Sequence, residues 1–292
     1  MSSCLFDIEF PWATVSLEQP VDAEAAAQFS QWLAQGKHGS MSYMEKYADL
    51  RLDPRTLLPG AKSMLCVAFP YYTTNAIKLP ISVYARGKDY HEVVRERLLD
   101  IAQQLPTGDV RICVDTAPLR ERYWAARAGL GFIGKNNQLI IPSLGSYFFL
   151  GFILTTAELP EIPGKRIETT CGNCQRCIDA CPGKCIFSNG AGIDARKCLS
   201  YLTIEHRGDL PEDIKLPVLY GCDMCQKVCP HNQSCITTTV KDFHPSAELA
   251  NLTAADVASM TAEQFSALFR HSAIKRTKLS GLQRNLKSYS NN

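Results

Sequence analysis

The chain has 292 residues, 46% hydrophobic and 21% charged, which is enough for one large or two medium globular domains and excludes a disordered or collagen-like chain. No apolar run reaches the roughly 18 residues of a membrane span, and Met1–Phe10 shows no basic stretch followed by an apolar one. A soluble, unexported, cytoplasmic protein is expected, with no membrane partner. The net charge of +2 conceals an asymmetry. Beyond Glu263 there is no acidic residue, while Arg270, Lys275, Arg276, Lys278, Arg284 and Lys287 are basic, a tail that suits a polyanion as well as a solvated terminus.

Up to about Thr170 the pattern is mixed α/β. Val21–Gln35 reads as a helix with Asp22 as its cap, Phe29, Trp32 and Leu33 on one face, and Gly36 as its stop. Ser63–Tyr72 carries the continuous apolar run Met64–Phe69 ended by Pro70, the pattern of a buried strand. From Asp89, the positions Tyr90, Val94, Leu98, Ile101 and Leu105 recur at spacings of three and four, which predicts a helix stopped by Pro106. Arg111–Val114 reads as a second buried strand, delivering Asp115 at its C-terminal end, where ligand-facing residues collect in α/β sheets. The rival role for Asp115 is a cap for a helix over Leu119–Leu130, closed at Gly131. Gln138–Ile141 and Ser146–Thr155 flank the turn Pro142-Ser-Leu-Gly145 and predict a hairpin.

Thirteen cysteines are too many for an ordinary cytosolic enzyme, and nine of them lie between Cys171 and Cys229. A disulfide scaffold would be shorter and would spread its bridges along the chain, so metal is the better reading. Cys171-Gly-Asn-Cys174-Gln-Arg-Cys177-Ile-Asp-Ala-Cys181-Pro182 has the spacing C-x2-C-x2-C-x3-C-P, in which three thiolates take three corners of one 4Fe-4S cubane and the fourth ligates a second. Cys222-Asp-Met-Cys225-Gln-Lys-Val-Cys229-Pro230 supplies three more thiols. Crossing the runs gives Cys171, Cys174, Cys177 and Cys229 to the first cluster, and Cys181, Cys222 and Cys225 to the second. Cys185, Cys198 and Cys235 remain as candidates for the last corner. Zinc sites pair two C-x2-C knuckles and have no use for the triple spacing with a trailing C-P. Two clusters carry electrons, so the α/β segment must hold whatever the electrons are for.

Seven stretches carry a resemblance: Arg51-Leu-Asp-Pro54 ahead of Leu58-Pro-Gly-Ala61, Tyr84-Ala-Arg-Gly-Lys-Asp-Tyr-His91, Val114-Asp-Thr-Ala-Pro118, Ala125-Ala-Arg-Ala-Gly-Leu-Gly-Phe-Ile-Gly-Lys-Asn136, Leu144-Gly-Ser-Tyr-Phe-Phe-Leu-Gly151, Lys197-Cys-Leu-Ser-Tyr-Leu-Thr-Ile-Glu205 and Gly221-Cys-Asp-Met-Cys-Gln-Lys-Val-Cys-Pro230. In this order the chain resembles the epoxyqueuosine reductases, cobalamin and iron–sulfur enzymes related to reductive dehalogenases. The resemblance implies an α/β (α+β) cobalamin-binding catalytic domain over residues 1–165, a ferredoxin-like double 4Fe-4S domain over 166–240 and a helical basic segment over 241–292. It implies reduction of epoxyqueuosine to queuosine in tRNA, the final step of queuosine biosynthesis. An external donor of the flavodoxin or ferredoxin type would feed electrons through the clusters to cobalamin, in a monomer.

The same resemblance names Cys198 as the missing ligand, leaving Cys185 and Cys235 as packing or surface thiols. It makes Asp115 the proton donor, a buried carboxyl with a raised pKa. Around the corrinoid it places Arg51, Tyr84, Arg86, Asp115, Lys135, Asn136, Ser200, Cys222 and Asp223, with Tyr201 and Gln226 lining the gap to the second cluster. Gly129, Gly131 and Gly134 lack the register of a phosphate loop and are read as a helix stop and a close backbone approach to the cofactor. Many family members continue into a helical-repeat domain that helps hold tRNA, whereas this chain ends soon after Gly281-Leu-Gln-Arg-Asn285. A short form is therefore expected, binding tRNA through its core and basic tail, with His206 and Arg207 as further RNA contacts. Two rivals are a reductive dehalogenase, whose respiratory members usually carry a twin-arginine signal absent here, and a two-cluster electron carrier, which leaves the N-terminal half without a role.

Overall fold

The computed structural model describes residues 6–162, 167, 170–190, 192–211 and 214–289. Its centre is a four-stranded sheet in the order β1 (Trp12–Ser16), β2 (Ser63–Pro70), β6 (Phe148–Thr155), β3 (Val110–Cys113), every pairing antiparallel. A two-residue pair, β4 (Phe132–Ile133) with β5 (Leu139–Ile140), lies apart from it. β2 and β6 are central and covered on both faces, which is why each reads as an unbroken apolar run. Alternation still sorts their side chains. Met64, Cys66, Ala68, Phe152 and Leu154 join one core, while Leu65, Val67, Phe69 and Ile153 join the other. The antiparallel pairing makes the first segment α+β, so the carboxyl-end rule of parallel sheets is not what positions Asp115.

The helices before the cysteine runs are α1 (Ala23–Ala34), α2 (Tyr43–Lys46), α3 (Ala48–Leu52), α4 (Tyr90–Ala102) and α5 (Glu121–Arg127). Asp22 caps α1 as its sequence predicts, its carboxylate accepting the Ala25 N–H at 2.8 Å. Asp89 does the same for α4 through the His91 N–H. α4 lies close against β6 at Gly151, where a Cβ would meet Leu98 Cδ1 at 2.7 Å and Val94 Cγ1 at 2.8 Å. Trp124 and Ala125 of α5 cover the opposite face.

Three expectations are corrected. β3 is an edge strand rather than a buried one, with Val110 43% exposed. The turn at Pro142–Gly145 closes through Ile141 and Gly145 backbone bonds, but its arms part: β5 pairs with β4 while β6 enters the sheet centre. Gly131 and Gly134 are indeed places of close approach, yet to β5. A Cβ on Gly131 would lie 2.5 Å from the Ile140 carbonyl oxygen, and one on Gly134 2.6 Å from Ile140 Cδ1. β1 was not anticipated.

The later chain is built of short helices, α6 (Arg176–Asp179), α7 (Leu199–Ile204) and α8 (Met224–Lys227), then α9 (Ala247–Asn251), α10 (Ala254–Ser259), α11 (Ala262–Phe269) and α12 (Lys278–Ser288). Its apolar clusters run across the expected boundary at 240. Leu79, Ile81 and Ala85 of the first segment share a core with Leu219 and Tyr220 of the cysteine segment and with Leu249, Phe269 and Leu282 of the tail. The expected boundary at 165 falls outside the described residues. No helix among the described residues is long and apolar enough to cross a membrane.

Candidate active site and cluster module

β3 ends at Cys113, and the chain turns sharply two residues later. The Thr116 N–H donates to the Val114 carbonyl at 2.5 Å around Asp115, whose φ is +50°. This is a three-residue turn in the left-handed region, which a short polar side chain tolerates and a branched one does not. Such strain persists only where the surroundings hold it. Here Glu121, the first residue of α5, accepts the Asp115 N–H at 2.6 Å. Tyr90 Oη donates to Asp115 Oδ2 at 2.8 Å, and His91 Nε2 lies 3.1 Å from the same oxygen. Behind His91, Nδ1 is 2.7 Å from Oδ1 of buried Asp89, and Asp89 Oδ2 receives Lys275 Nζ at 2.7 Å. A continuous line runs from the basic tail through Asp89 and His91 to Asp115.

The electrostatics relocate the proton. Burial pushes the Asp115 carboxyl up, but the His91 hydrogen bond and charge, the Tyr90 hydroxyl and Arg122 outweigh it, so its pKa lies below the ordinary value. The raised pKa expected for Asp115 is thus corrected. His91, which burial alone would lower, is raised to about 9 by its bonds to Asp115 and Asp89. Glu121 is raised to about 8 by burial and by the Asp115 charge. At neutral pH the protons sit on His91 and Glu121, on either side of an ionised Asp115. That carboxylate is 58% exposed although burial is its largest influence. The carboxylate thus has protein on one side and solvent on the other, so a ligand that covers it would also desolvate it.

Other residues around Asp115 come from distant segments. Arg51 of α3 is 8% exposed, its Nε has no partner, and its Nη1 reaches only the Leu119 carbonyl, at 3.4 Å. Asp115, Glu121 and Tyr43 act on its charge from nearby. Tyr84 donates to Tyr220 Oη at 3.3 Å and stands edge-on to Tyr90. The turn carrying Tyr84 is gripped by buried Asp223, which accepts from Ser82 Oγ and, at 2.9 Å, from the Val83 N–H. Asp223 sits between Cys222 and Met224, so the cluster module and the Asp115 site share a wall. Two cavities, of about 360 and 810 Å³, are lined by Thr74–Pro80 with Arg86 and Tyr289, and by Gln19–Ala23 with Tyr123, Ala126 and Arg127. Neither contains Asp115 or a cysteine.

The thiols lie in two overlapping neighbourhoods. Burial raises Cys177, and the thiols of Cys171, Cys229 and Cys174 act on it in the same direction. Burial raises Cys225 too, followed by Cys222, Cys198, Cys181 and, last, Cys177. Cys198, which precedes α7, lies near Cys225, while the Cys235 thiol lies 3.8 Å from the Leu144 carbonyl and feels only Cys229 among the other thiols. Among the described residues no three Cys, His, Asp or Glu side chains gather closely enough to share one metal ion. A cubane holds its iron corners apart and needs its ligands spread around it.

Residues 170–232 match the family described as "4Fe-4S double cluster binding domain", and residues 51–116 match "Epoxyqueuosine reductase QueG, DUF1730". Epoxyqueuosine reductase of Leadbetterella byssophila is 41% identical over 90% of this chain and 88% of its own length. That of Cyclobacterium marinum is 41% identical over 90% and 87%. The solved epoxyqueuosine reductase of Streptococcus thermophilus superposes with a TM-score of 0.83 at 28% identity, covering 94% of this chain and 75% of that one. An epoxyqueuosine reductase solved with an epoxyqueuosine-modified tRNA-Tyr stem loop gives 0.83 at 29%, over 96% and 76%. The chain belongs to the epoxyqueuosine reductase family.

As a member of this family of oxidoreductases, the chain places its expected site residues unevenly. Arg51, Tyr84 and Asp115 come together. Lys135 does not join them: its Nζ donates to the Gly172 and Cys174 carbonyls at 2.8 and 2.9 Å and its N–H points at Cys171 Sγ, so it binds the first cysteine run. Buried Asn136 reaches the Cys225 carbonyl at 3.4 Å. Arg86 is anchored to the Ile81 carbonyl, near Asp223 rather than Asp115. Ser200 and Cys222 flank the second group, whose Cys198 accepts from the Ser200 and Tyr201 N–H groups. Tyr201 binds Ser40, and Gln226 binds Ser146. In the tail, Arg276 pairs with Glu205, and Arg284 holds the Leu202, His206 and Gly208 carbonyls. Arg207 holds the Arg276 carbonyl, and His206 lies 2.9 Å from that of Asp209. Lys275, Arg276, Arg284 and Arg207 thus have structural duties, and the polyanion role narrows to exposed Arg270, Lys278 and Lys287.

Sequence reasoning missed His91, Asp89 and Glu121. The signal was present in Asp89-Tyr-His91, a capping aspartate two residues before a histidine, but it says nothing of Asp115. A pH profile tests the line. If His91 must be protonated, turnover falls as pH rises through about 9. Asp89→Asn removes one of the two carboxylates holding that proton and should move this basic limb down by about one unit, with iron content unchanged. A limb that stays in place would exclude Asp89 from positioning the proton.

Proposed function

We propose that this chain reduces the epoxide of epoxyqueuosine in tRNA to the alkene of queuosine, taking up two electrons and two protons and releasing water. Asp115 carries the reading. It is a carboxylate on a strained turn, held by Tyr90 and a protonated His91, and it is open to solvent beside the Tyr84 turn that Asp223 of the cluster module grips. The relatives support it. One was solved with the modified stem loop, and the Bacillus subtilis enzyme was captured with an aspartate-bearing catalytic loop swung out of the active site.

The surroundings of Asp115 suit cobalamin. A buried guanidinium with an unpartnered Nε is costly unless an anion meets it, and the corrinoid's phosphate is such an anion. Bound there, cobalamin would supply a low-valent cobalt nucleophile, and clusters held by Cys171, Cys174, Cys177, Cys229 and by Cys181, Cys198, Cys222, Cys225 would supply its electrons. Arg51 anchors the cofactor. Tyr84, Tyr90 and Tyr220 form an aromatic wall that keeps water from the reacting face. Asp115 takes a proton from His91 and passes it to the departing oxygen, and the Asp89 carboxylate stabilises the charge on His91. Glu121 fixes the turn and stays protonated, so that a second carboxylate does not repel the first. The tRNA backbone meets Arg270, Lys278 and Lys287. Electrons come from a flavodoxin- or ferredoxin-type donor, and the enzyme works as a cytoplasmic monomer.

Anaerobic reconstitution with iron, sulfide and corrinoid tests this. The protein should hold about eight iron per chain, retain corrinoid by absorbance, and convert an epoxyqueuosine stem loop under reductant. Arg51→Met should weaken corrinoid binding at least tenfold with iron unchanged. Protein that converts the stem loop with iron alone would remove cobalamin from the reading, and protein that loads both cofactors without conversion would remove the substrate.

A further inference from the structure

The second cysteine group holds one thiol more than a cubane has corners. Cys185 is 5% exposed, its Sγ lies 3.4 Å from Cys181 Sγ, and its N–H points at the same sulfur at 3.4 Å. Cys198 is its other sulfur partner. The chain is built to bring it there. After Cys181 a tight turn, with Lys184 at φ +48° and its N–H donating to the Cys181 carbonyl, folds Cys185 back over Cys181, and the Cys185 carbonyl is fixed by the Asp194 N–H at 2.8 Å.

Two thiolates bound to different irons of one cubane point away from each other along diverging iron–sulfur bonds and cannot touch. If Cys181 is a ligand, Cys185 in contact with it is not a fellow ligand of the same cluster. A thiol has one proton to donate and a coordinated thiolate has lone pairs to accept it. We propose that Cys185 donates an S–H···S hydrogen bond to the coordinated sulfur of Cys181 and thereby raises the reduction potential of the second cluster. The bond withdraws negative charge from the sulfur and so favours the reduced state, which carries one electron more. Cys185 is a positioning and tuning residue, not a ligand. The inference rests on the assignment of Cys181 and Cys198 to the second cluster.

The test uses the anaerobically reconstituted full chain and reads iron content and an EPR-monitored redox titration, so that it does not depend on turnover. Wild type with about eight iron per chain secures the underlying assignment; a lower value there would overturn that assignment before Cys185 is considered. Cys185→Ala should keep the iron and shift one cluster only, its one-electron reduction becoming three- to tenfold less favourable, a fall of up to about 59 mV. Cys185→Ser keeps a donor and should restore part of the shift. Three outcomes would overturn the proposal: iron falling to about half in Cys185→Ala, which makes Cys185 a ligand; an unchanged potential, which makes it packing; or equal shifts in Ala and Ser, which makes the effect one of solvent entry rather than hydrogen bonding.

Discussion

Asp115→Asn should lower turnover of an epoxyqueuosine stem loop by about 10² to 10⁴, the usual worth of general acid–base catalysis, while iron and corrinoid load as in wild type. Asn accepts the left-handed φ of +50° nearly as well as Asp, so the turn survives. It also still accepts from Tyr90 Oη and His91 Nε2, but it has no carboxylate to carry a proton between His91 and the substrate oxygen. The measurement is single-turnover conversion under anaerobic reductant, with absorbance confirming the cofactors. A helix-cap role predicts near-normal turnover, since Asn and Asp cap equally well, and the structure already gives that position little to cap: α5 begins at Glu121, after Arg120. Near-wild-type activity in Asp115→Asn would hand the acid role to Glu121, the other proton-bearing group beside the turn.

Cys198→Ala should abolish the second cluster. Iron should fall from about eight to about four per chain, and turnover with an external donor should drop below detection if the second cluster is the last step before the Asp115 site. The first cluster should keep its EPR signal, since Cys171, Cys174, Cys177 and Cys229 face one another and not Cys198. Cys235→Ala is the matched control, its thiol lying against the Leu144 carbonyl and Asn232. Full iron in Cys198→Ala would mean that Cys185 can complete the second cluster, and iron lost in Cys235→Ala would redraw the ligand set.

Features that depend on neighbours in the chain were legible in the sequence. The α1 cap works within three residues, the apolar runs of β2 and β6 reflect burial on both faces, and the sulfur spacing carries its chemistry because three thiolates within one seven-residue stretch can wrap one cubane. Features that depend on several distant segments were not. The short strand β1 acquires its meaning only by pairing with β2, and the arms of the Pro142–Gly145 turn part because each has a better partner elsewhere. The resemblance set Lys135 beside the corrinoid, and only the folded chain turns its amino group to the Gly172 and Cys174 carbonyls. The protonation of the site is the clearest case. Sequence pointed to Asp115, but whether it is ionised depends on His91 from the start of α4, Glu121 from the start of α5, and Asp89 with Lys275 behind them. A ligand set can be encoded by short-range spacing because a covalent bond reaches only its own length, whereas a pKa sums charges and burial over every segment that packs around the group, and that sum exists only once the chain has folded.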